Sequence, residues 1–399
     1  MTTGTVNFGK KYYLFLIVFL GMLSAFGPFV TDMYLPTLPS MAAIFHTTPS
    51  QVQMGLATSM LGLAVGQVFF GPLSDKYGRR PVLMSAMVLF AVSTVVSIYS
   101  PTIEFFNICR FMQGLGGAGG IVLSRSISTD CYSGRELAKT LAIIGAVNGI
   151  APVTAPVVGG LVAGAVGWQG IFWILFTIGV VLLGMCIVFR ESLPGEAHHR
   201  GSVLSLMSAF PRLVRMRYFR VYVLMFAFAN GVLFAYISSA SFIIQDCFGY
   251  SELVFAVIFG INALGIGIGS ALSLKFRQMS NAALFGASGI TVVSVLQIAC
   301  HYLSGSFVPF ELLTFVMLVC VGFIFTAATT LAMDEGRQYV GAASAIFGAM
   351  GFLAGGIVSP LVGIGDIMLT TMVITAICSV CALGFAVMSR MRRRVTAGA

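Results

Sequence analysis

The chain is 399 residues long, 58% hydrophobic and only 9% charged, with a mean hydropathy of +0.98. A soluble domain carries about a quarter charged residues, so this composition excludes a soluble protein built around one large core and points to the bilayer as solvent. The net charge of +9 could suit a nucleic-acid partner, but the placement of the cations reads as a topology signal and no nucleic-acid binding is expected.

Twelve apolar segments are predicted as helical spans, at 12–34, 52–73, 81–100, 103–126, 137–164, 169–189, 219–243, 252–274, 282–302, 309–333, 342–364 and 367–389. Each has about 20 residues or more, enough to cross a hydrocarbon layer about 30 Å thick. The expected class is therefore an all-α integral membrane protein of two six-helix bundles. Lys10 and Lys11 precede the first segment with no small-residue cleavage site behind it, so it reads as an uncleaved helix rather than a signal peptide. Every Lys and Arg except Arg110 lies before the first segment, after the last, or in or beside alternate connections, which by the positive-inside rule puts both termini in the cytoplasm.

Late in the first segment stands Asp32. An ionisable group inside a span costs about 2.5–3.5 kcal/mol on insertion scales, so the few present are functional candidates. With Tyr34 and Leu35 read as continuing the helix beyond it, Asp32 is expected to load and release a proton; an interfacial or structurally neutralised acid is the plainer alternative. After the second segment comes a knot of charge, Gly71-Pro72-Leu73-Ser74-Asp75-Lys76-Tyr77-Gly78-Arg79-Arg80-Pro81. Gly78 suits a tight turn and Pro81 the first turn of the third span. Arg79 or Arg80 is expected to pair with Asp130 at the end of the fourth span. Gly71, Asp75, Gly78, Arg79, Arg80 and Asp130 thus form a candidate conformational latch, against the simpler reading of a positive loop that only sets topology.

In the fourth segment Arg110 is the one cation placed within a span, with Gln113 one turn on along the same face. The pair is expected to gate charge or substrate, or else to anchor helix to helix. The glycines that follow, Gly114, Gly116, Gly117, Gly119 and Gly120, read as close helix packing. No strand or lysine accompanies them as a phosphate-binding loop requires.

The polar stretch 191–218 separates residues 1–190, expected as the N-terminal bundle, from 219–399, the C-terminal one. The halves echo each other: Leu73-Ser74-Asp75-Lys76-Tyr77 returns as Leu272-Ser273-Leu274-Lys275-Phe276, and the glycine-rich run from Gly145 returns from Gly348. Both offsets are about 200 positions, as a duplicated six-helix unit requires. A mostly apolar pocket with a few polar groups would draw on Tyr34, Asn148, Asn230, Tyr236, Phe242 and Asn262. His301 stands alone and reads as a satisfied buried imidazole, and Cys378 and Cys381 read as small packing residues. No metal, no cofactor and no catalytic cluster is expected, so the chain is not read as an enzyme.

The run 71–80 resembles the loop signature of the major facilitator superfamily, and Arg110-Phe111-Met112-Gln113-Gly114 resembles that superfamily's fourth-helix motif. Thr31-Asp32-Met33-Tyr34-Leu35-Pro36, Trp168-Gln169-Gly170-Ile171-Phe172 and Gly341-Ala342-Ala343-Ser344-Ala345 look like the Bcr/CflA branch of drug:proton antiporters. The resemblance implies a twelve-helix multidrug efflux antiporter of the bacterial inner membrane. It would exchange protons for drugs or small amphipathic toxic compounds and act as a monomer in the lipid bilayer. Proton-coupled uptake of a small nutrient is the alternative on the same fold. The chain departs from the pattern at Ala142, Ala151 and Ala155, where the antiporter motif has glycines. It departs again at Ser241, where a proline is common, and at Ser24, where some relatives carry a second acid.

Overall fold

The structure is a computed structural model that describes residues 10–132, 134–193, 209–303 and 305–397. Most of the expected linker, from 194 to 208, lies outside the described residues. Among those residues the chain is all-α, with no strand. Helix α1 is Lys10–Asp32, α2 Leu38–Ile44, α3 Pro49–Tyr77, α4 Arg79–Ile98, α5 Ile103–Cys131 and α6 Gly134–Val188. Then follow α7 Ala209–Arg215, α8 Arg217–Phe242, α9 Glu252–Ser273, α10 Met279–Leu303, α11 Phe307–Glu335, α12 Val340–Leu361 and α13 Ile367–Ala397.

Local chemistry sets the boundaries. Thr102 caps α5 by accepting from the Phe105 amide at 3.3 Å, and Ser251 caps α9 by accepting from Val254 at 3.3 Å. Gly78, at φ 96°, separates α3 from α4 in a conformation open to glycine and strained for other residues. Gly167, at φ 71°, breaks α6 into two arms that correspond to the fifth and sixth predicted segments.

Ten stretches of described residues are long and apolar enough to cross a membrane, against twelve predicted segments. The difference has two causes. The fifth and sixth segments run through the Gly167 break without a polar interruption, so Ile150–Val188 counts as one stretch. The fourth, α5, is long enough at 29 residues, but Glu104, Arg110, Arg125, Asp130 and its glycines lower its apolarity. The outward faces agree with a bilayer. Leu14, Val18, Val88, Val92, Ile108, Leu264, Val292, Val295 and Val380 are exposed along the helices, a pattern water penalises and lipid accepts.

The chain divides into two compact units, Met1–Tyr34 with Thr58–Met207, and Leu35–Ala57 with Ser208–Ala399. In the first, α1 packs on α5 and α6, and α4 on α5 and α6. Lipid tails supply no hydrophobic drive between helices, so small residues that admit close backbones matter most. A methyl added at Gly116 would meet the Ala86 carbonyl and Phe90 amide of α4 at 2.7 Å. In the second unit α8 packs on α11, α12 and α13, and α10 on α11 and α13. Residues 35–57 come from the first half of the sequence but are bonded into this unit. Gln53 Nε2 donates to the Ser238 carbonyl at 3.0 Å, Ser50 Oγ to Pro360 at 2.9 Å, and Gln245 Nε2 to Pro36 at 3.0 Å.

Candidate functional site

In the first unit the chain breaks beside its most conspicuous acid. Helix α1 ends at Asp32, Met33 and Tyr34 form a turn, and Leu35–Thr37 is a short 3-10 turn. The expectation that Tyr34 and Leu35 extend the helix is thus corrected. Room for the break comes from Gly159 of α6, where any side chain would collide with the Met33 carbonyl. Asp32 is 5% exposed, and its carboxylate accepts from the Thr31 hydroxyl at 2.7 Å. Among the described residues it has no ion-pair partner.

Arg110 is fully buried in the same unit but does not neutralise Asp32. Its Nη2 donates to the Val30 carbonyl at 2.8 Å and its Nη1 to Gln113 Oε1. The guanidinium lies 4.3 Å from the Tyr34 ring centroid and 5.6 Å from that of Phe172. Gln113 is fixed in turn by donating to Thr94 Oγ1 at 2.7 Å. Phe172 packs edge-on to Trp168 and Phe106, so the Trp168–Phe172 motif walls the arginine with aromatic rings. Ser24 is buried, and its hydroxyl has no hydrogen-bond partner among the described residues.

The charged loop forms a second cluster of this unit. Arg79 donates from Nε to Asp130 Oδ2 at 2.8 Å, from Nη1 to Asp75 Oδ1 at 2.5 Å and from the same nitrogen to Ser74 Oγ at 2.6 Å. Arg80 turns away from Asp130 and donates to the Cys186 and Ile187 carbonyls at 3.1 and 2.7 Å. Sequence reasoning missed Glu191. Its two carboxylate oxygens each accept, at 2.9 Å, from the backbone amides of Arg79 and Arg80, the first N–H groups of α4. No local signal marks that role, because Glu191 is more than a hundred positions from the helix it caps.

The pocket candidates are divided between the two units. Tyr34 belongs to the arginine cluster, and the side chain of Asn148 lies outside the described residues. In the second unit Asn230 donates to the Phe226 carbonyl of its own helix at 2.9 Å. Phe242 is buried where α8 passes into a π-helical turn, Ile243–Cys247, and the Ser241 hydroxyl beside it has no hydrogen-bond partner among the described residues. Tyr236 and Asn262 do meet: Asn262 Nδ2 donates to Tyr236 Oη at 2.8 Å and also to Glu311 Oε1 of α11. Glu311 is a third acid of interest that the sequence reading passed over, being only the third residue of its predicted segment and so looking interfacial. His301 is half-buried, and its Nδ1 has no hydrogen-bond partner among the described residues, which corrects its reading as a satisfied imidazole. Cys378 and Cys381 are free thiols.

The Major Facilitator Superfamily model matches residues 14–360. The chain is 36% identical over 365 residues to an uncharacterized MFS-type transporter, YdgK, of Bacillus subtilis, covering 89% of this chain and 90% of that protein. It is 27% identical over 373 residues to the bicyclomycin resistance protein homolog of Haemophilus influenzae, covering 90% of each. It is also 26% identical over 333 residues to the multidrug resistance protein MdtL of Escherichia coli, covering 79% and 80%. Among solved structures it resembles a bacterial homolog of the lysosomal transporter Spinster, with TM-score 0.75 at 15% identity over 96% of this chain and 98% of that one. It also resembles the xylose transporter XylE of E. coli, with TM-score 0.72 at 14% identity over 94% and 97%.

Proposed function

The chain belongs to the major facilitator superfamily, and we propose that within it this protein is a proton-coupled antiporter exporting drugs or small amphipathic toxic compounds from bacteria. It is a multi-pass membrane transporter of small molecules and not an enzyme. The names of two relatives, a bicyclomycin resistance protein homolog and a multidrug resistance protein, support efflux as the direction. The location that goes with it is the bacterial cytoplasmic membrane, with both termini inside and one chain acting alone.

One observation carries the proton reading. Asp32 is buried where α1 breaks, with a hydroxyl but no cation on its carboxylate among the described residues. A buried unpaired carboxylate is costly as an anion, and binding a proton removes that cost. Loading from the outer face and release to the inner one would couple the proton gradient to alternating access. Arg110, held on the same short segment through the Val30 carbonyl and over the Tyr34 ring, would transmit the protonation state to the aromatic wall. The Arg79, Asp75 and Asp130 cluster would serve as the latch that holds one state.

The test begins with a growth-inhibition screen of cells expressing the chain against a diverse antibiotic panel. For a compound to which it confers resistance, Asp32→Asn is expected to abolish efflux driven by a pH gradient while the purified variant keeps its melting profile. Full coupled efflux by Asp32→Asn would overturn the proton assignment. Accumulation inside energised right-side-out vesicles would replace export with uptake.

A further inference from the structure

In the second unit, residues 209–220 join the short helix α7 to the first turn of α8, at the start of a stretch, Arg217–Cys247, long and apolar enough to cross a membrane. Helix α7 packs on α8 and α12 and is held by its inner face. Leu213 is fully buried beside Gly336 at the end of α11, where an added methyl would lie 3.4 Å from Leu213 Cδ2. The outer face carries Arg212 and Arg215, three positions apart and both exposed. The first turn of α8 repeats the pattern: Arg217 and Arg220 are exposed, while Phe219 and Tyr222 turn inward.

No acid stands among these four arginines in the sequence, and none of them forms an ion pair among the described residues. Asp334, at the end of the neighbouring α11, pairs with Arg337 at 3.4 Å instead. Arg212 Nη1 donates to the Tyr339 hydroxyl at 3.1 Å, and the Arg217 guanidinium lies 6.0 Å from the Tyr218 ring centroid. These contacts orient the two side chains without neutralising them. Arg217 and Arg220 also occupy the helix end at which the macrodipole repels a cation. Val214, 49% exposed, sets an apolar side chain beside this charge. Uncompensated guanidinium groups with apolar surface, at the start of a span, are matched by a phosphate carried on an apolar body, since a guanidinium can bond a phosphate through two parallel N–H groups.

We propose that the face formed by Arg212, Arg215, Arg217 and Arg220 binds the headgroup phosphate of an anionic phospholipid whose acyl chains stay in the bilayer. The cation pattern predicts the cytoplasmic leaflet for this face, where anionic lipids give the membrane a negative surface potential. The proposal goes beyond the transport reading and uses neither its direction, its substrate nor its coupling ion. Its failure would leave the efflux assignment untouched.

The purified full chain would be offered equal amounts of phosphatidylglycerol and phosphatidylcholine with the same acyl chains, and the retained lipids counted by native mass spectrometry. A preference of at least about fivefold for phosphatidylglycerol is expected, equivalent to about 1 kcal/mol. Arg212→Gln with Arg215→Gln is expected to remove most of it. Lys275→Gln with Arg277→Gln, an equal loss of charge from exposed residues after α9, is expected to keep it. Should the first pair fold poorly, the wild-type chain can be mapped in phosphatidylcholine nanodiscs holding a phosphatidylglycerol made photoreactive at its headgroup. Labelling within 209–220 is expected to exceed that by the matching phosphatidylcholine probe. No preference, a preference that survives the α7 pair or falls equally with the α9 pair, or label spread evenly over exposed loops would each overturn the proposal. So would release of the retained lipid by inorganic phosphate, which would assign the face to a soluble anion.

Discussion

At the scale of single residues, Arg110 makes contacts that a lysine cannot reproduce. A planar guanidinium donates in two directions, to Val30 and to Gln113, while its face lies over Tyr34. An ammonium offers a point charge without a plane to stack, so Arg110→Lys keeps the charge and loses the shape. The variant is expected to fall at least about tenfold in transport, the equivalent of about 1.4 kcal/mol, with detergent-solubilised melting only modestly lowered. Wild-type transport by Arg110→Lys would show that charge alone suffices there. Asp32 and Arg110 were legible in the sequence because ionisable groups deep in apolar runs are rare. Glu311 was not, since a carboxylate near the start of a segment looks interfacial until Asn262 and Tyr236, from two other helices, are seen to enclose it.

Elements were legible to different degrees. Hydropathy marked where most helices run, because apolar length is written locally. It did not show that α1 stops at Asp32, although Pro36 carries part of that signal, having no N–H for the Asp32 carbonyl and disfavouring a helical Leu35; Gly159 of α6 gives the break room by admitting the Met33 carbonyl. The contact gives a clean contrast between glycines of one helix. Gly159→Val would push a branched side chain into that carbonyl, an overpacking worth about 1–3 kcal/mol, and is expected to lower the melting temperature and disable transport. Gly164→Ala, where an added methyl meets nothing within 4 Å, is expected to leave melting unchanged or to raise it by up to about 1 kcal/mol of helix propensity. Equal tolerance of both substitutions would remove Gly159 from the argument about Asp32.

For the whole molecule, the direction of coupled transport has meaning only once the orientation in the bilayer is fixed, and two native thiols offer a test. From the cation pattern the end of α5 is expected on the cytoplasmic side and the turn after α8 on the outer side. Cys131 closes α5 and is half-buried; Cys247 closes the π-helical turn after α8 and is exposed. Both are free thiols, so neither needs reduction before labelling. Two variants would each keep one of these cysteines, with serine or alanine at the other seven, and would first be checked for retained transport. In right-side-out vesicles a membrane-impermeant maleimide is expected to modify the Cys247 variant at once and the Cys131 variant only after permeabilisation. The opposite order would invert the topology. Asp32, late in a first helix that leaves the N-terminus, would then sit towards the cytoplasmic face, and proton loading from outside would lose its geometric basis.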